Sequence, residues 1–264
     1  MQYRLFQSSS ILVACATLAA CADSTNPAGK IPMSVSFTSG SSAGASLSSS
    51  PATSTPGTAT SGTDVLVVTK AQLVVARMEL QRSGASCGST AVAGDDDVDE
   101  HECAELTVAP SVVDLPVNGT VASALSVTIP AGTYSALEAK IRPVHGDGDR
   151  GRGASAFLKA NPDLAGVSVR VTGTFNGKEF TYTGSPRAEF ETAFEPALTV
   201  DAAPVNLTIN TDLSIWFKSQ SGALIDPSTA NAGGANVNTV ANNIRRSFRA
   251  FRDDDHDGHE DRHH

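Results

Sequence analysis

The acidic run Asp253-Asp254-Asp255-His256-Asp257-Gly258-His259-Glu260-Asp261 carries side chains spaced for metal chemistry. Counted from Asp253, carboxylates stand at positions one, three, five and nine, and glycine stands at six. That is the first half of a helix-borne calcium loop. Alternate side chains in a tight turn converge on one centre, Gly258 permits the bend, and hard carboxylate oxygens suit Ca²⁺. Asp253, Asp255, Asp257 and Asp261 are therefore the candidate calcium ligands. The match then fails, because position twelve is His264 where the loop wants a bidentate Glu. Binding is expected to be weak, roughly millimolar, and a solvated acidic tail is the competing reading. His256, His259, His263 and His264 add imidazoles that take Zn²⁺ or Ni²⁺, but a frayed terminus does not preorganise them.

Other chemistry is sparse. A second acidic run, Asp95, Asp96, Asp97, Asp99, Glu100 and Glu102 with His101 among them, reads as a solvated loop tip. Asp147 and Asp149 form a weaker pair near His145. No phosphate-binding glycine loop with its Gly-Lys-Ser/Thr ending occurs. The expectation is a protein that is not an enzyme, needs no cofactor, and at most takes calcium. The formal charge of −9 and the lack of a basic patch with interleaved aromatics argue against nucleic acid.

The strongest covalent chemistry lies at the other end. Arg4 precedes a short apolar run from Ile11 to Ala20, closed by Leu18-Ala19-Ala20-Cys21. The run is too short to span a bilayer, which needs about 20 apolar residues. It fits a secretory signal ending in a lipobox, with Cys21 as the acylated residue. The plainer alternative is ordinary cleavage after Ala22, releasing a soluble protein. Lipid on Cys21 makes the membrane a partner, and Asp23, set two residues beyond Cys21 rather than next to it, points to the outer membrane. The expected location is thus the bacterial cell envelope. Processing leaves two cysteines, Cys87 and Cys103. In an oxidising compartment these read as a disulfide rather than a thiol or metal pair. It would close a loop of about 15 residues, worth roughly 3 kcal/mol.

The elements that must position these groups are mostly strands. Residues 1–20 read as signal and 21–30 as tether. The β domain with its terminal helix occupies 31–252, and 253–264 is the acidic tail. Ile31, Met33, Val35 and Phe37 alternate with polar neighbours, the period of a half-buried strand. From 38 to 63 the chain is almost all Ser, Thr, Gly, Ala and Pro, too poor in apolar surface to order itself. Strands follow over Val65–Leu80, Leu106–Leu115, Val121–Ile129, Tyr134–Ile141, Arg187–Phe194, Leu198–Val200 and Val205–Phe217. Ala154–Lys159 reads as a helical turn. Asn176-Gly177 between two alternating runs marks a hairpin, since both residues tolerate positive φ. Val237, Val240, Ala241, Ile244, Phe248 and Phe251 recur at helical spacing, predicting an amphipathic C-terminal helix with Arg245, Arg246, Arg249 and Arg252 in its last turns. The sum is a mainly β chain, an antiparallel sandwich with one C-terminal helix.

Four segments carry a family resemblance: Val65-Leu66-Val67-Val68-Thr69-Lys70-Ala71-Gln72-Leu73-Val74-Val75, Val113-Asp114-Leu115-Pro116-Val117, Val127-Thr128-Ile129-Pro130-Ala131-Gly132-Thr133-Tyr134, and the strand from Leu207 to Phe217. Together they resemble the bacterial lipoprotein family called domain of unknown function 4382. The resemblance spans about Ile31 to Phe217 and implies a transthyretin- or immunoglobulin-like sandwich with no catalytic residues. The expected role is binding or structural, with an envelope protein or glycan as partner. The alternative is a carbohydrate- or polymer-binding surface module, which would need Trp216 exposed as part of an aromatic strip. Aromatic residues make up only 5% of the chain.

Overall fold

The computed structural model describes residues 30–39, 57–84, 104–117, 120–145, 153–201, 203–253 and 255–261. Cys21, Cys87, Cys103, the acidic run 95–102, Asp147, Asp149, His263 and His264 lie outside them. The strands in chain order are β1 (Lys30–Ser39), β2 (Thr58–Ser61), β3 (Asp64–Arg82), β4 (Ala104–Val108), β5 (Ser111–Leu115) and β6 (Val121–Pro130). They continue as β7 (Gly132–Ile141), β8 (Val169–Phe175), β9 (Lys178–Gly184), β10 (Ala188–Val200), β11 (Val205–Thr211) and β12 (Phe248–Arg252). Among the described residues, three short α-helices, α1 (Ala154–Ala160), α2 (Leu213–Trp216) and α3 (Val237–Arg245), and two 3-10 turns at Pro162–Leu164 and Pro227–Ala230 complete the set.

Two sheets share one apolar core. The first has the order β12-β11-β1-β6. Along β1 the expected alternation holds, with Ile31, Met33, Val35 and Phe37 all buried. They meet Val205, Leu207 and Ile209 of β11 and Leu73, Met78, Leu80 and Leu137 of the second sheet in one cluster. The second sheet is organised by β3, a single strand of 19 residues. Leu73 is flanked by Val113 and Val169, and Val75 by Ser111 and Ile141. β8 and β7 therefore lie end to end along one edge of β3, while β2, β5 and β4 share the other. Register shifts at Val68/Lys70 and Val75/Arg77 break the ladder where these partners change, as bulges do when a strand bends. A satellite core of Val74, Ala76, Val144, Phe157 and Leu164 seats α1 against β3.

Several elements differ from the sequence reading. The sheets are not wholly antiparallel, because β1 pairs with β11 in parallel, from Met33↔Val205 to Ser39↔Thr211. The polar segment 38–63 is ordered at both ends: Thr38 and Ser39 belong to β1, and Thr58–Ser61 pair with the start of β3. There the backbone ladder supplies what side chains cannot. The strand expected over Val205–Phe217 stops at Thr211, where the Asp212 carboxylate accepts from the Ser214 N–H and starts α2.

The expected terminal helix is also shorter. It stops at Arg245, and Phe248–Arg252 crosses back as a strand paired antiparallel with β11. The physical reason is local competition. Phe248, Ala250 and Arg252 also alternate with period two, and the backbone groups along the edge of β11 need partners. Ser247 fixes the break. Its hydroxyl donates to the Ile244 carbonyl at 2.7 Å and accepts from the Trp216 indole N–H at 2.8 Å. Phe248 then stacks on Phe190 with ring centroids 5.6 Å apart.

The hairpin expected at Asn176-Gly177 is present, with φ of 52° and 77° at the two turn residues. Gly173, on β8 three residues before the turn, serves a different purpose. A Cβ there would strike the Val67 carbonyl oxygen of β3, so the two backbones approach only because the side chain is missing. Gly173→Ala is expected to cost about 3 kcal/mol through overpacking. Gly177→Ala meets no atom within 4 Å and should cost only the left-handed backbone penalty, about 1 kcal/mol. Denaturant unfolding of the two variants checks the order.

Candidate metal centre

The acidic run begins where β12 ends, and the sheet positions it. Asp253 continues the β12 side of the ladder opposite Asn206: its N–H donates to the Asn206 carbonyl at 3.4 Å. The Asn206 amide nitrogen donates to the Asp253 carbonyl at 2.7 Å. The Asn206 amide oxygen accepts from Ser34 at 2.7 Å and from Ser36 at 3.2 Å. These residues share a face because β1 and β11 run parallel, with Ser34 beside Asn206 and Ser36 beside Thr208. On β11 the other face carries Val205, Leu207 and Ile209 into the core, so Asn206, Thr208 and Asn210 form its polar side, and all three are buried.

Asp253 itself is fully buried. One carboxylate oxygen accepts from the Thr208 hydroxyl at 2.7 Å and from the Gly258 N–H at 3.0 Å. The other accepts from the Asp257 N–H at 3.0 Å. The chain wraps around this carboxylate, with His256 at φ 60° and Gly258 at φ 83°. Gly258 is needed twice: for the positive φ, and because a Cβ would lie 2.9 Å from the Val121 Cγ2 of β6. Asp255 and Asp257 in turn accept from the Asp257 and His259 N–H groups at 3.2 and 2.7 Å.

Asp253, Asp255 and Asp257 each offer an oxygen, and these atoms lie within 4.8 Å of one another. The structure thus brings together three of the four expected ligands. Asp261 is held elsewhere, its N–H on the Arg252 carbonyl at 3.1 Å, and its carboxylate is not in the converging set. His256 and His259 are exposed. The donor set fits a hard cation: all oxygen, two ligands exposed, one locked. A carboxylate oxygen has lone pairs for both an N–H and a metal, so the hydrogen bonds that shape the loop do not consume the ligands.

The supporting residues were not legible as a site. Asn206 and Thr208 sit in a run whose alternation reads only as a strand with one polar face. The signal that would have found them is the matching polar alternation of Ser34, Ser36 and Thr38. Two other candidates fare differently. His145 is exposed. Trp216 is fully buried, so it offers no platform to a sugar, contrary to what the surface-module alternative requires. Comparison of the chain with family models, with curated proteins and with solved structures finds no match.

Without metal, the roles of the three aspartates separate. Asp253→Ala strands Thr208 and two N–H groups and is expected to cost about 2 to 3 kcal/mol. Asp255→Ala, at the surface, should change stability by less than about 0.5 kcal/mol. Thermal melts in chelator test this. Equal effects would show that Asp253 does not organise the loop.

Proposed function

We propose that this chain is a lipid-anchored, non-enzymatic protein of the bacterial cell envelope that acts by binding or as a structural module. Its C-terminal aspartates hold calcium. The observation that carries the reading is the loop at Asp253: a buried carboxylate fixed by three donors, with Asp255 and Asp257 brought beside it. The mainly β body suits such a role, and the proposal extends to its kinship. We assign it to the transthyretin- or immunoglobulin-like sandwiches of the domain of unknown function 4382 family, on the four segments quoted above. The anchor is Cys21, held in the outer membrane, and Cys87 and Cys103 form a disulfide.

Calcium here ties the acidic loop to the end of β12 and, through Asn206 and Thr208, to the middle of the first sheet. Ligand that binds only the folded chain raises its stability by mass action. At ten times a roughly millimolar Kd, the melting temperature should rise by about 3 to 5 °C. Asp255→Ala should abolish that rise. Calorimetry in chelator and in calcium measures it, and an unchanged melting temperature in the parent protein removes the metal from the proposal.

The anchor is tested separately. Acylation at Cys21 should place the protein in the detergent phase of fractionated cells and add the mass of its lipid chains. Cys21→Ala should shift it to the aqueous phase. A parent protein that already partitions into water, with Asp23 at its N-terminus, would show the ordinary secretory route instead.

A further inference from the structure

A cleft of about 390 Å³ opens where the corner between β9 and β10 meets one face of α3. The helix contributes Val237, Ala241 and Arg245, spaced four residues apart and so stacked on one side. The corner contributes Tyr182, Gly184 and Arg187. In a protein of net charge −9, no Asp or Glu among the described residues lines this cleft. Among the described residues, neither guanidinium is in an ion pair. The Nε of Arg245 donates to its own helix at the Ala241 carbonyl, 3.2 Å away, which leaves its terminal nitrogens available. Glu189, two residues beyond Arg187, is engaged by Lys140 at 3.3 Å.

Tyr182 adds a further donor at the same cleft. Its side chain is 1% exposed, and its ring packs edge-on against Phe217 at 5.3 Å. Burial alone pushes its phenol up to about 12, so at neutral pH the hydroxyl keeps its proton as a donor. No hydrogen bond to a described residue satisfies it. The hydroxyl lies against Gly184, where a Cβ would land on the oxygen. The missing side chain is what leaves this donor open to the cleft. The ring is buried while the hydroxyl meets the cleft, so a ligand oxygen there would accept its proton.

We propose that this cleft binds a small organic anion, holding its carboxylate or phosphate between Arg187 and Arg245 with the Tyr182 hydroxyl as third donor. The two guanidiniums, the only charged groups among the described lining residues, offer donors alone, which favours an acceptor-rich ligand. Planar guanidinium forks match the two oxyanions equally well. Val237 and Ala241 form an apolar wall, so the ligand also carries a short hydrocarbon part. The volume suits a molecule of that size.

The site shares no residue with the calcium loop and stands or falls alone. The test is calorimetric titration of the purified protein with hexanoate and with butyl phosphate, and with hexylamine as the cationic control. Either or both anions should bind, saturating below about 10 mM, and the amine should give no heat. Arg187→Gln and Arg245→Gln should each weaken binding about tenfold. Tyr182→Phe should weaken it several-fold while the melting temperature holds, since the ring packing against Phe217 is kept. A merely structural tyrosine would change neither affinity nor its dependence on the arginines. Absence of heat with both anions overturns the proposal, as does unchanged affinity in the two arginine variants.

Discussion

The parallel ladder between β1 and β11 is the contact on which the first sheet depends. It joins Met33–Ser39 to Val205–Thr211, segments far apart in the chain. Side chains alternate with period two, so a slip of one residue would turn every apolar side chain outward. The observed register satisfies both faces at once. Met33, Val35 and Phe37 enter the core with Val205, Leu207 and Ile209, while Ser34, Ser36 and Thr38 align with Asn206, Thr208 and Asn210.

That polar side explains why the acidic loop is ordered. A buried carboxylate is tolerated only when its oxygens are hydrogen-bonded, and Asp253 is surrounded by donors from two sources. Thr208 comes from the sheet, and the Asp257 and Gly258 N–H groups come from the loop itself. The same carboxylate thus closes the sheet and nucleates the turn. Asn206 couples the two by bonding Asp253 on one side and the β1 serines on the other. Val121 and Thr38 seat the loop from the far side at Gly258, so the loop packs across the sheet rather than trailing from it.

How much of this was legible in the chain varies with the range of the interaction. The alternation of β1 and the turn at Asn176-Gly177 were readable because a few adjacent residues determine them. The terminal helix was misread beyond Arg245 because Phe248 and Phe251 satisfy a helical stripe, while the deciding partners, Ser247, Trp216 and the edge of β11, are tertiary. The strand expected to run to Phe217 failed for a related reason, since a single cap at Asp212 outweighs β propensity. In the acidic loop the spacing identified Asp253, Asp255 and Asp257, yet nothing local distinguished the buried member from the exposed ones. Position nine of a loop pattern placed Asp261 with them, but the real chain bends back to Arg252 first. The cleft between Tyr182, Arg187 and Arg245 was invisible, because packing alone brings those residues together.

The central place of β1 also has a mechanical meaning. It is held by β11 on one side and β6 on the other, with paired residues running from Lys30 to Ser39. A pull applied at Lys30 acts along the strand axis and loads both ladders in shear, many hydrogen bonds sharing the tension together. The same pull on β12, an edge strand with a single neighbour among the described strands, has only that ladder to resist it. The chain therefore presents a strand held on both sides next to its N-terminal segment, so force arriving from that side is shared by two ladders of the first sheet.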